Sequence, residues 1–377
     1  MKRKFLGIIL MLLVFPFSCQ NRSQGKEQVQ KTGAKELYVF YTGDILGEID
    51  LCGCPKRPMG GVARRAKYIE RFFKLKRGVL QLEAGNSFFR YHPRDYQPTD
   101  FEKQSALIIA KTCAKLGVDA VNIGAYDLSA GVDFLKELKE RTKPWGKLNL
   151  ISSNLFKKSD QKPVFPQVKI IKRAGLKIGI FGLMSKPMHL TSELFVAEPE
   201  QTAEQMVSLL KKEKADLIVG LFNLGLKKSR EICREIDGID LVIVSGYPQY
   251  LWEPVIENGC LLVQAGPGGK YLGELKLTLF SERKKAGKDK IQAISNHLER
   301  VNVQIKLLEG RGLEDKEIRD KYLALVQEKK ELRKSIIELS LKFNFENRLV
   351  PLDADLPVDV EVKSWVVELM RKRKKAH

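Results

Sequence analysis

Histidine is scarce in this chain, with four residues in 377. A metal centre built mainly from imidazole has little to draw on. Beyond Phe17 no apolar run is long enough to cross a bilayer, which excludes a polytopic membrane protein. Acidic residues are outnumbered, 46 Asp+Glu against 66 Lys+Arg, for a formal charge of +20. That excess favours acidic partners such as phospholipid, nucleic acid or an acidic protein without choosing among them. The basic residues are dispersed and lack interleaved aromatics, so nucleic-acid binding is not expected. At 44% hydrophobic and 30% charged residues, the composition is that of a globular protein with a sizeable core. It excludes a collagen and a wholly disordered chain.

The amino terminus carries a targeting pattern. Lys2, Arg3 and Lys4 precede an apolar run from Phe5 to Phe17, the shape of an export signal. Ser18-Cys19 follows and resembles a bacterial lipoprotein cleavage site, with Cys19 as the lipidated residue. Pro16 departs from that pattern, and an ordinary cleaved signal or an uncleaved anchor are the alternatives. Residues 1–19 are read as signal and 20–36 as a flexible polar tether. Gln20 is not the Asp of inner-membrane retention. The expected location is the periplasmic face of a bacterial envelope, lipid-anchored, at the outer membrane in a Gram-negative cell.

From Leu37 to Phe280 short apolar runs alternate with amphipathic stretches. Runs such as LYVFYT (Leu37–Thr42), VLQLEA (Val79–Ala84), DLIVGLF (Asp216–Phe222) and DLVIVSG (Asp240–Gly246) read as strands buried on both faces. Helical patterns lie between them at Val62–Leu75, Phe101–Leu116, Val132–Arg141, Glu200–Lys214 and Lys227–Ile236, so the class is α/β. Val168–Leu183 reads as a hairpin around Ala174-Gly175. Residues 281–344 carry a heptad seam broken at Gly310 and Gly312, read as an antiparallel helical hairpin. Residues 345–377 read as an extended connector, a short helix over Val358–Met370 and a basic tail.

Five strand ends lead into short turns, where open α/β sheets collect ligand groups. They are TGDILG (Thr42–Gly47), EAGNSF (Glu83–Phe88), IGAYD (Ile123–Asp127), FNLG (Phe222–Gly225) and SGYPQ (Ser245–Gln249). With GGVARRAKYI (Gly60–Ile69), LKIGIFGLMS (Leu176–Ser185) and QAGPGGKYLGELKL (Gln264–Leu277), their order and spacing resemble the N-terminal domain of the bacterial UshA-like 5′-nucleotidases, within the calcineurin-like metallophosphatases. The resemblance spans residues 37–280. It implies a metallophosphatase-like β-sandwich flanked by helices, here followed by the C-terminal helical hairpin.

The resemblance also implies chemistry: phosphoester hydrolysis by two divalent metals that share a bridging Asp. The residues at the corresponding positions do not support it. Asp44 stands in the first turn, but Leu46 occupies the place of a His. Asn86 replaces the bridging Asp, and Ala125 and Tyr126 replace an Asn ligand and a His. Asn223 and Tyr247 stand where two further His are expected, and Gln249 survives in the last turn. His92, His189, His297 and His377 lie outside all five turns. The expectation is therefore a degenerate di-metal site with no confident cofactor. A single displaced metal on Asp44, Asp127 and Gln249 is the weak alternative. The resemblance implies a second domain that stacks the base, and the residues after Phe280, read as a helical hairpin, are not expected to supply it.

Leu51-Cys52-Gly53-Cys54-Pro55 follows the first turn. Two thiols one residue apart form an easily reduced disulfide or share a soft metal. Lys56, Arg57, Arg64 and Arg65 are the candidate cations for lowering a thiol pKa. A structural disulfide is the plain alternative. The loop also resembles an uncharacterised UshA-like bacterial group in which some members carry selenocysteine. Cys113, Cys233 and Cys260 sit singly in apolar surroundings and read as small buried hydrophobes. The leading expectation is an exported, membrane-tethered protein using Cys52 and Cys54 in envelope thiol redox chemistry or acting as a binding module. Its partner would be an envelope redox or other protein. The alternative is a metal-dependent phosphoester hydrolase, 5′-nucleotidase-like, with an altered metal site.

Overall fold

The computed structural model describes residues 34–75, 78–93, 96–187, 190–247, 249–279 and 288–375. The signal, the lipidation position Cys19 and most of the tether lie outside the described residues, as do His189 and His377.

From the described amino end, β1 (Lys35–Thr42), α1 (Val62–Leu75), β2 (Val79–Glu83), α2 (Asp100–Leu116), β3 (Ala120–Asn122), α3 (Gly131–Arg141) and β4 (Leu150–Ile151) alternate strand and helix. Next come β5 (Leu155–Lys157), β6 (Val168–Arg173), β7 (Leu176–Met184), β8 (Leu194–Val196), α4 (Pro199–Lys212), β9 (Leu217–Asn223), α5 (Gly225–Glu235) and β10 (Leu241–Ser245). The chain continues through β11 (Leu251–Glu257), β12 (Cys260–Gln264), β13 (Tyr271–Leu279), α6 (Lys288–Arg311), α7 (Lys316–Ser340), β14 (Phe343–Pro351) and α8 (Val360–Lys375).

The strands form two six-stranded sheets, ordered β14-β13-β1-β2-β3-β4 and β11-β12-β10-β9-β7-β6. Strands β1 to β4 run parallel, as do β12, β10, β9 and β7, with antiparallel strands added outside them. Leu37, Val39 and Leu82 of the first sheet meet Ile178, Val219 and Ile243 of the second in one buried cluster. That interlayer explains the unbroken apolar runs, since the opposite faces are also covered. Helices α1, α2, α3 and α8 pack outside the first sheet, and α4 and α5 outside the second. Local signals support these elements. Thr99 and Glu102 make a reciprocal capping box at the start of α2, and Gly117 ends it in a left-handed conformation at φ 64°.

The carboxyl segment corrects one expectation. The stretch read as an extended connector contains β14, which pairs with β13 in register from Tyr271↔Pro351 to Leu279↔Phe343. Its side chains alternate rather than forming an apolar run, so the single-strand signal is weak. Gly273 lies under the Tyr41 ring, and the Tyr41 hydroxyl donates to Asn347 Oδ1 at 2.8 Å across the sheet. The last helix likewise runs through the basic stretch to Lys375, where Arg373 stacks over Phe101 at 4.4 Å. Helices α6 and α7 pack against each other, with Val301, Ile305, Leu308 and Leu325 buried between them.

One buried ion pair sits behind the strand ends. The Arg65 guanidinium meets Glu83, and Glu83 also accepts from the Thr42 hydroxyl. Burial works against the Arg65 charge, and the facing Glu83 more than restores it. Removing one partner leaves the other charged and dry. Arg65→Ala should therefore cost about 3–5 kcal/mol of stability in urea unfolding, whereas Arg65→Met with Glu83→Gln should recover most of that loss. Equal losses in the single and double variants would refute the pairing.

Candidate functional site

The parallel topology brings the carboxyl ends of β1, β2 and β3 in one sheet and of β9 and β10 in the other to a common edge. All five turns expected to carry chemistry meet there. Asp44, Asn86, Asp127, Asn223 and Ser245 are all buried. Asp44, Leu46 and Asn86 adopt left-handed φ values of 51°, 59° and 53°. Asp and Asn tolerate that region, whereas Leu46 pays a steric cost for it. It is held there by its N–H donating to Asn86 O at 2.9 Å.

The five turns are joined by a closed ring of hydrogen bonds. Asn86 Nδ2 donates to Asp44 Oδ1 at 2.9 Å, and Asn86 Oδ1 accepts the Tyr126 N–H at 2.9 Å. The neighbouring Ala125 N–H donates to Asn223 Oδ1 at 2.9 Å. Asn223 Nδ2 donates to Ser245 Oγ at 2.8 Å, and the Gly246 N–H closes the ring on the Asp44 carboxylate at 3.0 Å. Close backbone approach makes the ring possible. A Cβ at Gly43 would lie 2.7 Å from Ser245 Cβ, and one at Gly124 would lie 2.2 Å from Asn86 N. Beneath it, Asn122 Nδ2 is shared among the carbonyls of Ala84, Leu183 and Leu221, tying both sheets together.

The ring decides what the site can hold. Burial pushes the Asp44 carboxyl up to about 6, against the lowering effect of Asn86 and the Gly246 N–H. Burial pushes Asp127 up to about 7, although its oxygens accept the N–H groups of Phe88 and Gly124 at 2.8 Å. Asp127 thus acts as a local backbone clamp. Leu46 and Ala125 offer no donor atom, and the Asn86 and Asn223 oxygens are already engaged with N–H groups. No group of three or more His, Cys, Asp or Glu side chains converges among the described residues. The residues present do not fit a carboxylate-bridged metal pair. Of the weak set Asp44, Asp127 and Gln249, Asp44 and Asp127 are engaged in hydrogen bonds, while Gln249 lines a cleft beside the fourth and fifth turns. His92 packs on Tyr96 at 4.0 Å and pairs with Glu102 at 3.3 Å, and His297 pairs with Glu328 at 3.0 Å on the hairpin.

That cleft, about 570 Å³, opens beside the fourth and fifth turns. Lys227, Arg230, Tyr247 and Gln249 line it at the N-terminus of α5. Tyr247, where the resemblance expects a His, is 66% exposed in its wall rather than turned into the ring.

The Cys52-Gly53-Cys54 loop is a presented turn pinned at its base. Leu51 bridges to Gly60, the Cys52 N–H donates to Met59 O at 2.9 Å, and Met59 N–H points at Cys52 Sγ at 3.4 Å. Arg57 grips Asp353 through two hydrogen bonds of 2.7 and 2.8 Å. Burial acts to raise the Cys52 thiol. The Cys54 thiol, the Met59 and Cys54 N–H groups and the Lys270 charge outweigh it and bring the thiol below its ordinary value. Cys54 is exposed and shifted up, chiefly by the same hydrogen bond to Cys52. The cations expected from sequence do other work. Arg57 holds Asp353, Arg64 reaches Ala354 O and Arg65 pairs with Glu83. The relevant charge is Lys270, which sequence reasoning missed because only folding brings that distant turn alongside. Ser245 and Asn122 were also missed, although a lone Asn inside the AVNIG strand is a readable signal.

No family model matches the chain. Among curated proteins it is 26% identical to a 5′-nucleotidase of Vibrio cholerae over 202 residues, 43% of this chain and 35% of that one. It is 24% identical to Protein UshA of Yersinia enterocolitica over 241 residues, 53% of this chain and 41% of that one. The chain thus spans less than half the length of these relatives. Among solved structures, a 5′-nucleotidase precursor from Thermus thermophilus superposes with a TM-score of 0.63 at 16% identity, covering 90% of this chain and 59% of that one.

Asn86→Asp tests the ring. The substitution removes the Nδ2 donor and sets a second carboxylate against Asp44. It should cost about 2–4 kcal/mol at pH 8. Facing carboxyls have raised folded-state pKa values, so their protonated form is the stable one and stability is lost as pH rises through those values. The deficit should therefore shrink at pH 5. Urea unfolding at both pH values measures it, and an undiminished deficit at pH 5 would count against the assignment.

Proposed function

From a chain whose body is a UshA-like, 5′-nucleotidase-type domain of the metallophosphatase superfamily, we propose a phosphoester-binding protein that holds its ligand beside the altered centre. The relatives point to phosphoester chemistry rather than to thiol redox chemistry. The observation that carries the reading is the cleft bounded by Lys227, Arg230, Tyr247 and Gln249 at the N-terminus of α5. Lys227 and the positive end of α5 favour an anion there, while Arg230 is held by Glu257 and Glu231 also lines the cleft. Tyr247 offers an aromatic wall for an aryl or nucleobase group. The two-metal displacement of the family is not assigned to this chain, because Asn86 supplies an amide where a bridging charge is needed. Export and a lipid anchor at Cys19 belong to the same proposal and rest on the first nineteen residues alone.

Calorimetry with a nucleoside monophosphate and with 4-nitrophenyl phosphate, with and without Mn²⁺, tests the reading. Binding is expected without metal, weakened about tenfold or more by Lys227→Ala, and with no turnover. Mn²⁺-dependent turnover abolished by Asp44→Ala would instead make the protein a hydrolase with an altered metal site.

One observation favours a second role, at the thiol pair. The thiols of Cys52 and Cys54 share a hydrogen bond that lowers Cys52 and raises Cys54, and the Lys270 charge acts to lower both. The partner would be a disulfide-bearing protein of the envelope. Iodoacetamide should label Cys52 before Cys54 near pH 7.5, and Lys270→Ala should slow that labelling about two- to fivefold. Equal labelling rates for the two thiols, unaffected by Lys270→Ala, would remove this role.

A further inference from the structure

Cys233 on α5 and Cys260 at the start of β12 are 0% and 1% exposed, in the apolar layer between helix and sheet. Their sulfurs lie 2.7 Å apart. Non-bonded heavy atoms rest at about 3.5–4.0 Å even between carbons, which are smaller than sulfur. Two separate thiols do not stay this close. The backbone around them is held in place by other groups. Asn258 Nδ2 donates to Arg234 O at 3.1 Å and to Asp237 Oδ1 at 2.7 Å. Glu257 pairs with Arg230 at 3.0 Å and with Arg234 at 3.1 Å. The turn before β12 is thereby clamped to the last turn of α5, and Cys260 is carried to Cys233. Cys113 provides an internal contrast. It is also buried, its sulfur meets Arg65 Nη2 at 3.7 Å rather than another sulfur, and burial pushes its thiol up to about 12.

We propose that Cys233 and Cys260 form a disulfide that ties α5 to β12. This revises their reading as small buried hydrophobes. The bond forms while the chain is folding and both thiols are accessible. One thiolate attacks a donor disulfide, forms a mixed disulfide and expels a donor thiolate. The second thiolate then attacks the protein sulfur of that mixed disulfide and releases the other donor thiol. The two cysteines lose two electrons and two protons, and the donor disulfide is reduced to two thiols. Such donors act in oxidising compartments. The cellular bond therefore rests on the export reading, while the geometric claim does not.

The experiment uses the full chain exported to a bacterial periplasm, unfolded in iodoacetamide without reductant, digested and weighed. Cys113 is expected to be alkylated. Cys233 and Cys260 are expected to be unmodified and joined in one linked peptide pair, which separates after reduction. Alkylated Cys233 and Cys260 in periplasmic protein would overturn the cellular claim. Refolding reduced protein in a buffer of oxidised and reduced glutathione tests the geometry independently of export. No linked peptide there would overturn the pairing itself. Reductant should lower the Tm of the oxidised protein by about 3–8 °C and leave the Cys233→Ala/Cys260→Ala variant unmoved. An equal fall in both would place the effect elsewhere.

Discussion

The structure depends on a ring of hydrogen bonds that joins five turns from two sheets. Five turns from two sheets converge at one edge, each bringing backbone groups that need partners in a dry setting. A carboxylate can only accept. An amide both donates and accepts, so Asn86 and Asn223 can each join a donor turn to an acceptor turn, whereas a carboxylate joins donors only, as Asp44 does. Asp44 closes the circuit through Gly246. The amides at Asn86 and Asn223 therefore hold the turns together without any further group.

What surrounds the ring is built from segments far apart in sequence. The thiol loop is anchored by Asp353, just beyond β14, and faces Lys270, just before β13. The carboxyl segment thus completes the first sheet, covers its helices and holds the loop that follows β1. A separate cleft opens along α5 beside the fifth turn. The chain thus presents a cleft along α5 and a thiol loop after β1, while the ring itself is closed.

Much of this was legible beforehand. Helix α1 was expected at its observed limits because Gly60-Gly61 precedes it and its apolar stripe is regular. The five turns were legible as strand ends followed by Gly. Strand β14 was not, because an alternating edge strand near Pro and Asp residues carries little periodic signal without its partner. Nearness in sequence favours Lys56, Arg57, Arg64 and Arg65 around Cys52, but Arg57, Arg64 and Arg65 are engaged in ion pairs or backbone contacts elsewhere.

Sequence alone determined the α/β class, the order of the turns and which side-chain types stand in them, because these depend on local periodicity and on what atoms a side chain carries. Histidine scarcity belongs to that set. Only the tertiary structure decided what the replacements do, which charge meets Cys52 and which cysteines face each other. Those are matters of distance between groups that lie up to hundreds of residues apart, and such distances are set by sheet register and packing rather than by any pattern along the chain.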